Sequence, residues 1–193
     1  MKKITRADIR DILAYEKMRP EARARIIQLK KARRIEAGPH VSIVFENRDT
    51  VIFQIEEMMR AERIVAEEAI SEELRAYNTL IPDANELSAT LLIEITEQTR
   101  IKPMLRKLMG LDKGRKVWIE FGDVKVYATF ETGRSTEAKI SAVHFLRFPF
   151  TAQQSRRFRS GEDEAWLVIS HPNYRHSATI RPETRENLIR DLQ

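Results

Sequence analysis

The sequence predicts an α+β fold: a mainly antiparallel sheet packed by one long amphipathic helix, with an N-terminal helical arm. Three observations lead there. Short runs of alternating apolar residues interleave with segments of helical period. Residues 117–121 and 124–130 are separated only by Gly122-Asp123, a two-residue turn of the II′ kind that makes that pair antiparallel. From Asp49 or Thr50 to just before Tyr77-Asn78, apolar residues recur at the spacing of one helix face. No internal repeat, low-complexity segment or linker breaks the chain. Residues 1–193 therefore read as one domain, with 1–37 as the arm and 38–193 as the α+β core.

In order along the chain, Thr5 and Asp8 have the spacing of a capping box and open a helix over residues 6–18. Pro20 suits the first turn of a second helix, 20–36, and Gly38 its end. Residues 41–46 form the first strand, with Val41, Ile43 and Phe45 on one side. The long helix follows, then a polar loop containing Pro82 and Asn85. Residues 89–95 alternate as a strand, and 103–110 form a short helix ended by Gly110. After the hairpin, 140–148 is a strand, and Thr151 and Gln154 cap a helix closed by Gly161. Residues 165–170 make the last strand, and Pro182 opens a C-terminal helix.

Composition bounds the function. With 42% hydrophobic and 33% charged residues the chain has an ordinary globular balance. It holds no apolar run near the roughly 18–20 residues that span a membrane, and its charged N-terminus lacks a secretory h-region. A cytoplasmic bacterial protein is expected. With no cysteine, the chain itself supplies neither disulfides nor thiolate chemistry. Residues 1–40 hold 12 Lys/Arg against 5 Asp/Glu, residues 41–100 hold 5 against 13, and residues 101–193 hold 17 against 11. An acidic middle folding against basic flanks accounts for this without nucleic acid. Gly-rich phosphate loops, Gly-x-Ser-x-Gly elbows and His-Glu-x-x-His motifs are all missing, so no common enzyme class is named.

Glu62 is the placement that asks for chemistry. On an unbroken helix it falls within the face formed by Val51, Ile55, Met58, Met59, Val65, Ala66 and Ile70, while Glu56, Glu67, Arg60 and Arg63 point away. Burial of an unpaired carboxylate costs several kcal/mol. The first expectation is an internal pair of Glu62 with Arg147, on the strand VHFLRF. The alternatives are a metal site of Glu62, His144 and Glu46, acid–base work, or a bent or shorter helix that frees Glu62. His144 alone reads as a hydrogen-bonded core residue before a ligand or base. His171 and His176 in HPNYRH read as a turn after the last strand rather than metal ligands. Residues 19–34 carry seven basic side chains. Among them Arg23, Lys30, Lys31, Arg33 and Arg34 form a candidate interaction surface, which either docks on the acidic helix or tracks phosphates. Lacking interleaved aromatics, nucleic acid is the weaker alternative.

The segments GPHVSIVFENRDTVIFQIEEMMRAERI, ELRAYNTLIPDANELSATLLIEI and AVHFLRF, with HPNY beyond them, resemble an uncharacterised bacterial family, domain of unknown function 3501. The resemblance runs over most of the chain. It implies no catalytic residues and no cofactor. It does imply a genomic setting beside a rubrerythrin-like protein and an iron–sulfur oxidoreductase. The expectation that follows is a non-catalytic accessory protein whose partners are redox proteins of that type.

Overall fold

The structure, a computed structural model, describes residues 1–136 and 139–192. A 3₁₀ turn at Arg6–Asp8 leads into helix α1, Ile12–Ala32, and strands β1, Arg34–Glu36, and β2, Val41–Glu46. Helices α2, Arg48–Glu62, and α3, Glu67–Tyr77, precede β3, Glu86–Ile93, and α4, Gln98–Lys107. Strands β4, Val117–Phe121, β5, Val124–Tyr127, β6, Thr129–Phe130, and β7, Val143–Pro149, follow. The chain continues through α5, Ala152–Ser160, β8, Ala165–His171, β9, Tyr174–Thr179, and α6, Pro182–Asp191. The α+β class holds, and every strand pairing is antiparallel.

The strands form two sheets, in the orders β1-β2-β3-β7-β6 and β5-β4-β8-β9. Period-two alternation sorts each first-sheet strand into two faces. Ile43, Phe45, Leu91, Leu146 and Phe148 share one core with Val117, Ile119, Phe121 and Leu167 of the second sheet. Each such side chain contributes about 1.5–3 kcal/mol through burial. The alternate residues of the first sheet turn toward the helices. There Val51, Ile55 and Met59 of α2, Ile70 and Leu74 of α3 and the N-terminal Ile4 and Ile9 make a second core, against which Phe145 packs. The helix α1 lies along α2.

The expected hairpin is present, with Gly122 at φ +56 and its partner Asp123 at ordinary φ, as a II′ turn requires. Beyond it the strand divides. Ala128 still donates to the Val117 carbonyl, while Thr129 and Phe130 pair with Arg147 and Leu146 of the other sheet. Such a switching strand makes a corner between sheets.

Several elements depart from expectation, α4 among them: it begins at Gln98 and runs through Pro103, the residue expected to open it, and stops at Lys107 before Gly110. The first two helices are one, because α1 runs through Pro20. Pro20 is exposed, so the Glu16 carbonyl that loses its intrahelical donor lies on the solvent side of the helix. The long acidic helix is two. It stops at Glu62, with Arg63 left-handed at φ +55, and restarts at Glu67 without a side-chain cap. Finally, β1 and β9 extend the sheets where a helix end and a turn were expected.

Candidate functional site on the first helix

The break at Arg63 changes the part played by Glu62. As the last residue of α2 its side chain is exposed, and it needs no internal partner. Arg147 instead pairs with Glu86 and donates to the Thr79 carbonyl. The Glu62–Arg147 pair is therefore not formed; the shorter helix frees the carboxylate.

The three candidate ligands do not converge either. Glu46 and His144 lie on opposite faces of the first sheet. Glu46, 2% exposed, accepts from Thr50 Oγ1 at 2.5 Å and Thr90 Oγ1 at 2.6 Å. That network ties the first turn of α2 to β2 and β3. His144 faces the inter-sheet core, fully buried, with Nε2 at 2.9 Å from the Ser141 carbonyl and the Phe130 ring edge-on. Burial holds its pKa below the ordinary imidazole value; the carbonyl and Asp112 oppose this. Its Nδ1 is unpartnered, as is the buried Oδ1 of Asp112. Among the described residues no three His, Asp or Glu side chains are grouped to hold an ion. His171 is buried, set between the Met109 carbonyl and the Asn173 amide, while His176 is exposed on β9.

The basic arm is divided by depth. Arg33 is 1% exposed and belongs to the interior, where it pairs with Asp191 and donates to the carbonyls of Phe45 and Glu46. Burial pushes the Asp191 carboxyl up, against the pull of Arg33. Arg34 is held by Glu94. Arg23 and Lys31 are exposed and Lys30 half-buried, so the surface shrinks to the outer side of α1.

The inner side is clasped by α2. Glu57 accepts from Tyr15 Oη at 2.6 Å and from Arg19 Nε at 2.7 Å. The Arg19 guanidinium, more than the Tyr15 hydroxyl, brings the Glu57 carboxyl down to about 2. Glu56, expected to face solvent, is 2% exposed and accepts from the Arg10 amide and guanidinium. Desolvation raises its pKa despite Arg10. Tyr15 and Ile26, on this side, are buried.

The outer side carries a second pattern. Leu13, Lys17, Pro20, Ala24, Ile27 and Lys31 follow one another at steps of four and three, the spacing of a single helix seam, and all six are exposed. Leu13 is 73% and Ile27 48% exposed, so a helix already packed on one face presents a second apolar stripe to solvent. Lys17, Arg23 and Lys31 stand on or beside it, as do the exposed Glu16 and Glu21. The alternation of four and three was readable in the sequence; it was obscured by assigning Pro20 to a helix start.

A family model described as protein of unknown function (DUF3501) matches residues 3–192. The fold is similar to the crystal structure of a novel protein of unknown function from Burkholderia pseudomallei K96243, with TM-score 0.92, 35% identity and 100% of both chains covered. No curated protein matches this sequence.

Proposed function

The chain belongs to the DUF3501 family of proteins of unknown function, and within that family we propose a non-catalytic accessory role, in which the outer stripe of α1 docks on a partner protein. The partner is a redox protein of the iron–sulfur oxidoreductase or rubrerythrin type, in the cytoplasm. The observation that carries the reading is the stripe of Leu13, Pro20, Ala24 and Ile27 flanked by Lys17, Arg23 and Lys31. Exposed apolar side chains on a helix already packed on its other face mark a docking surface, and its rim is of mixed charge, with Glu16 and Glu21 among the cations, so apolar contact carries the docking. The redox assignment rests on the genomic setting that the family resemblance implies.

The test is binding between purified protein and each of the two neighbouring redox proteins, kept anaerobic, by titration calorimetry. Central apolar contacts commonly contribute more than about 1–2 kcal/mol, so Leu13→Glu or Ile27→Glu should weaken Kd at least about tenfold. Both residues are exposed, so circular dichroism and Tm stay as in the wild type. Absence of binding to either protein, or binding unchanged by both substitutions, would sink the proposal.

A further inference from the structure

The second sheet sends Val117, Ile119, Phe121, Leu167 and Ile169 into the core between the sheets. Period-two alternation turns Trp118 and Glu120 of β4, Lys125 and Tyr127 of β5, Trp166 and Val168 of β8, and Arg175 of β9 away from it, onto one outer face. The chain has two tryptophans, and the two central strands of this sheet put both of them there. Trp118, Tyr127, Trp166 and Val168 are half-buried and belong to neither core.

Rings and cations interleave on this face. Trp118 lies opposite Tyr127, with ring centroids 5.7 Å apart. Lys125 Nζ stands 5.1 Å over the Trp118 ring, and the Arg115 guanidinium 5.0 Å over that of Tyr127. Trp166 is one diagonal step from Trp118, about 7–8 Å between backbones. Glu120, the carboxylate among them, is already matched: it accepts from Trp118 Nε1 at 2.7 Å and pairs with Lys125 at 3.4 Å. Arg115 and Arg175 are exposed, lie at the same end of the sheet, and form no ion pair among the described residues. Glu164, which precedes β8, lies at the other end, beyond Trp166.

We infer that this face is a stacking platform for single-stranded nucleic acid. A four-stranded antiparallel sheet with aromatic side chains on its central strands offers rings to unpaired bases. Such stacking tolerates any base, since each has a π-face. Trp166 takes one base and the Trp118–Tyr127 pair the next, while the Arg115 and Lys125 heads, on long stems, swing from ring to phosphate. Arg115 and Arg175 supply the charge that complements the backbone. Residues 19–34 carry cations without rings, whereas this face joins the two.

Because both tryptophans lie on the face, intrinsic fluorescence reports on it directly. The probes are oligouridine and oligothymidine of about eight nucleotides, within the roughly 4–16 that single-strand sites cover, and inorganic polyphosphate as a polyanion without bases. The oligonucleotides should quench the wild type saturably, with a Kd of about 0.1 mM or tighter, and polyphosphate should not. Two phosphate contacts give a slope of about −1.4 in log K against log salt, so binding should weaken about sevenfold from about 50 to 200 mM. Trp166→Ala, outside both cores, should keep the wild-type circular dichroism and weaken binding at least about fivefold. Arg175→Gln, at the surface, should halve the salt slope. Tighter binding of oligouridine makes RNA the occupant and tighter binding of oligothymidine makes it DNA; either upholds the platform. No saturable quenching of the wild type, polyphosphate binding as tight as the oligonucleotides, or wild-type binding by both variants overturns it. So does a blue shift with rising protein concentration alone that Trp166→Ala abolishes, which would make the occupant a second copy of the chain. None of these residues belongs to α1, so failure here leaves the docking surface standing.

Discussion

Replacing Glu57 by Gln tests whether the clasp between α1 and α2 is electrostatic. In the folded protein Arg19, with help from Tyr15, lowers the Glu57 carboxyl from 4.5 to about 2. At about 1.4 kcal/mol per pH unit, the full shift corresponds to roughly 3.4 kcal/mol. The carboxylate is 26% exposed, so solvent screening reduces this to about 1–2 kcal/mol. A depressed carboxyl stabilises the fold fully above its unfolded value and loses that contribution as pH falls toward the folded one. Wild type and Glu57→Gln should therefore differ by about 1–2 kcal/mol in urea unfolding at pH 7. The gap should narrow steadily below about pH 4.5 and close near pH 2. An equal gap at about pH 3 and pH 7 would mean that shape, not charge, holds the helices together, and no gap at pH 7 would mean that the clasp contributes nothing.

Two further substitutions probe the interior. Asp191→Asn leaves the Arg33 guanidinium buried without its counter-charge and should cost about 3–5 kcal/mol in urea unfolding; the double variant Arg33→Met/Asp191→Leu should recover most of it, and a double variant as unstable as the single would refute the pairing argument. His144→Leu should change the pH dependence more than the stability. Because burial lowers the His144 pKa, the unfolded chain takes up its proton first, and wild-type stability falls as pH drops below about 6.5. The variant should have a flatter profile between about pH 5 and 7, and identical slopes would count against a neutral, buried imidazole.

What the sequence disclosed, and what it hid, follows from how each residue is constrained. Strand β2 and the hairpin were legible because alternation and a two-residue turn are local properties, and the residues Val41, Ile43, Phe45 and Gly122 need no distant context. The break after Glu62 was hidden because Arg63-Ile64-Val65-Ala66 contains neither Gly nor Pro, and its apolar spacing continues the helical period. Only the left-handed Arg63 ends the helix. That single backbone angle moved Glu62 from an imagined core to solvent, and with it the proposed ion pair and metal site. Strand β9 was missed because Tyr174-Arg-His-Ser-Ala-Thr is mainly polar and carries no apolar alternation. Glu56 was misjudged because its partner, Arg10, comes from a segment 46 positions away. The outer stripe of α1 was present as spacing, but its meaning depended on knowing which face α2 already covers.

The corner strand at Ala128 bears on how the molecule comes apart. Because one short segment belongs to both sheets, neither sheet can slide or peel away without tearing the hydrogen bonds of the other. Tyr174 adds a second stitch: its hydroxyl donates to the Ala37 carbonyl and accepts from the amides of His40 and Val41, joining the last strand of one sheet to the first-sheet edge. The sandwich thus opens as a whole or stays shut. The helical layer has its own core, joined to the sheet through Phe145 and the Glu46 network. It is a second packing unit beside the sandwich, and it is the one that carries the exposed stripe.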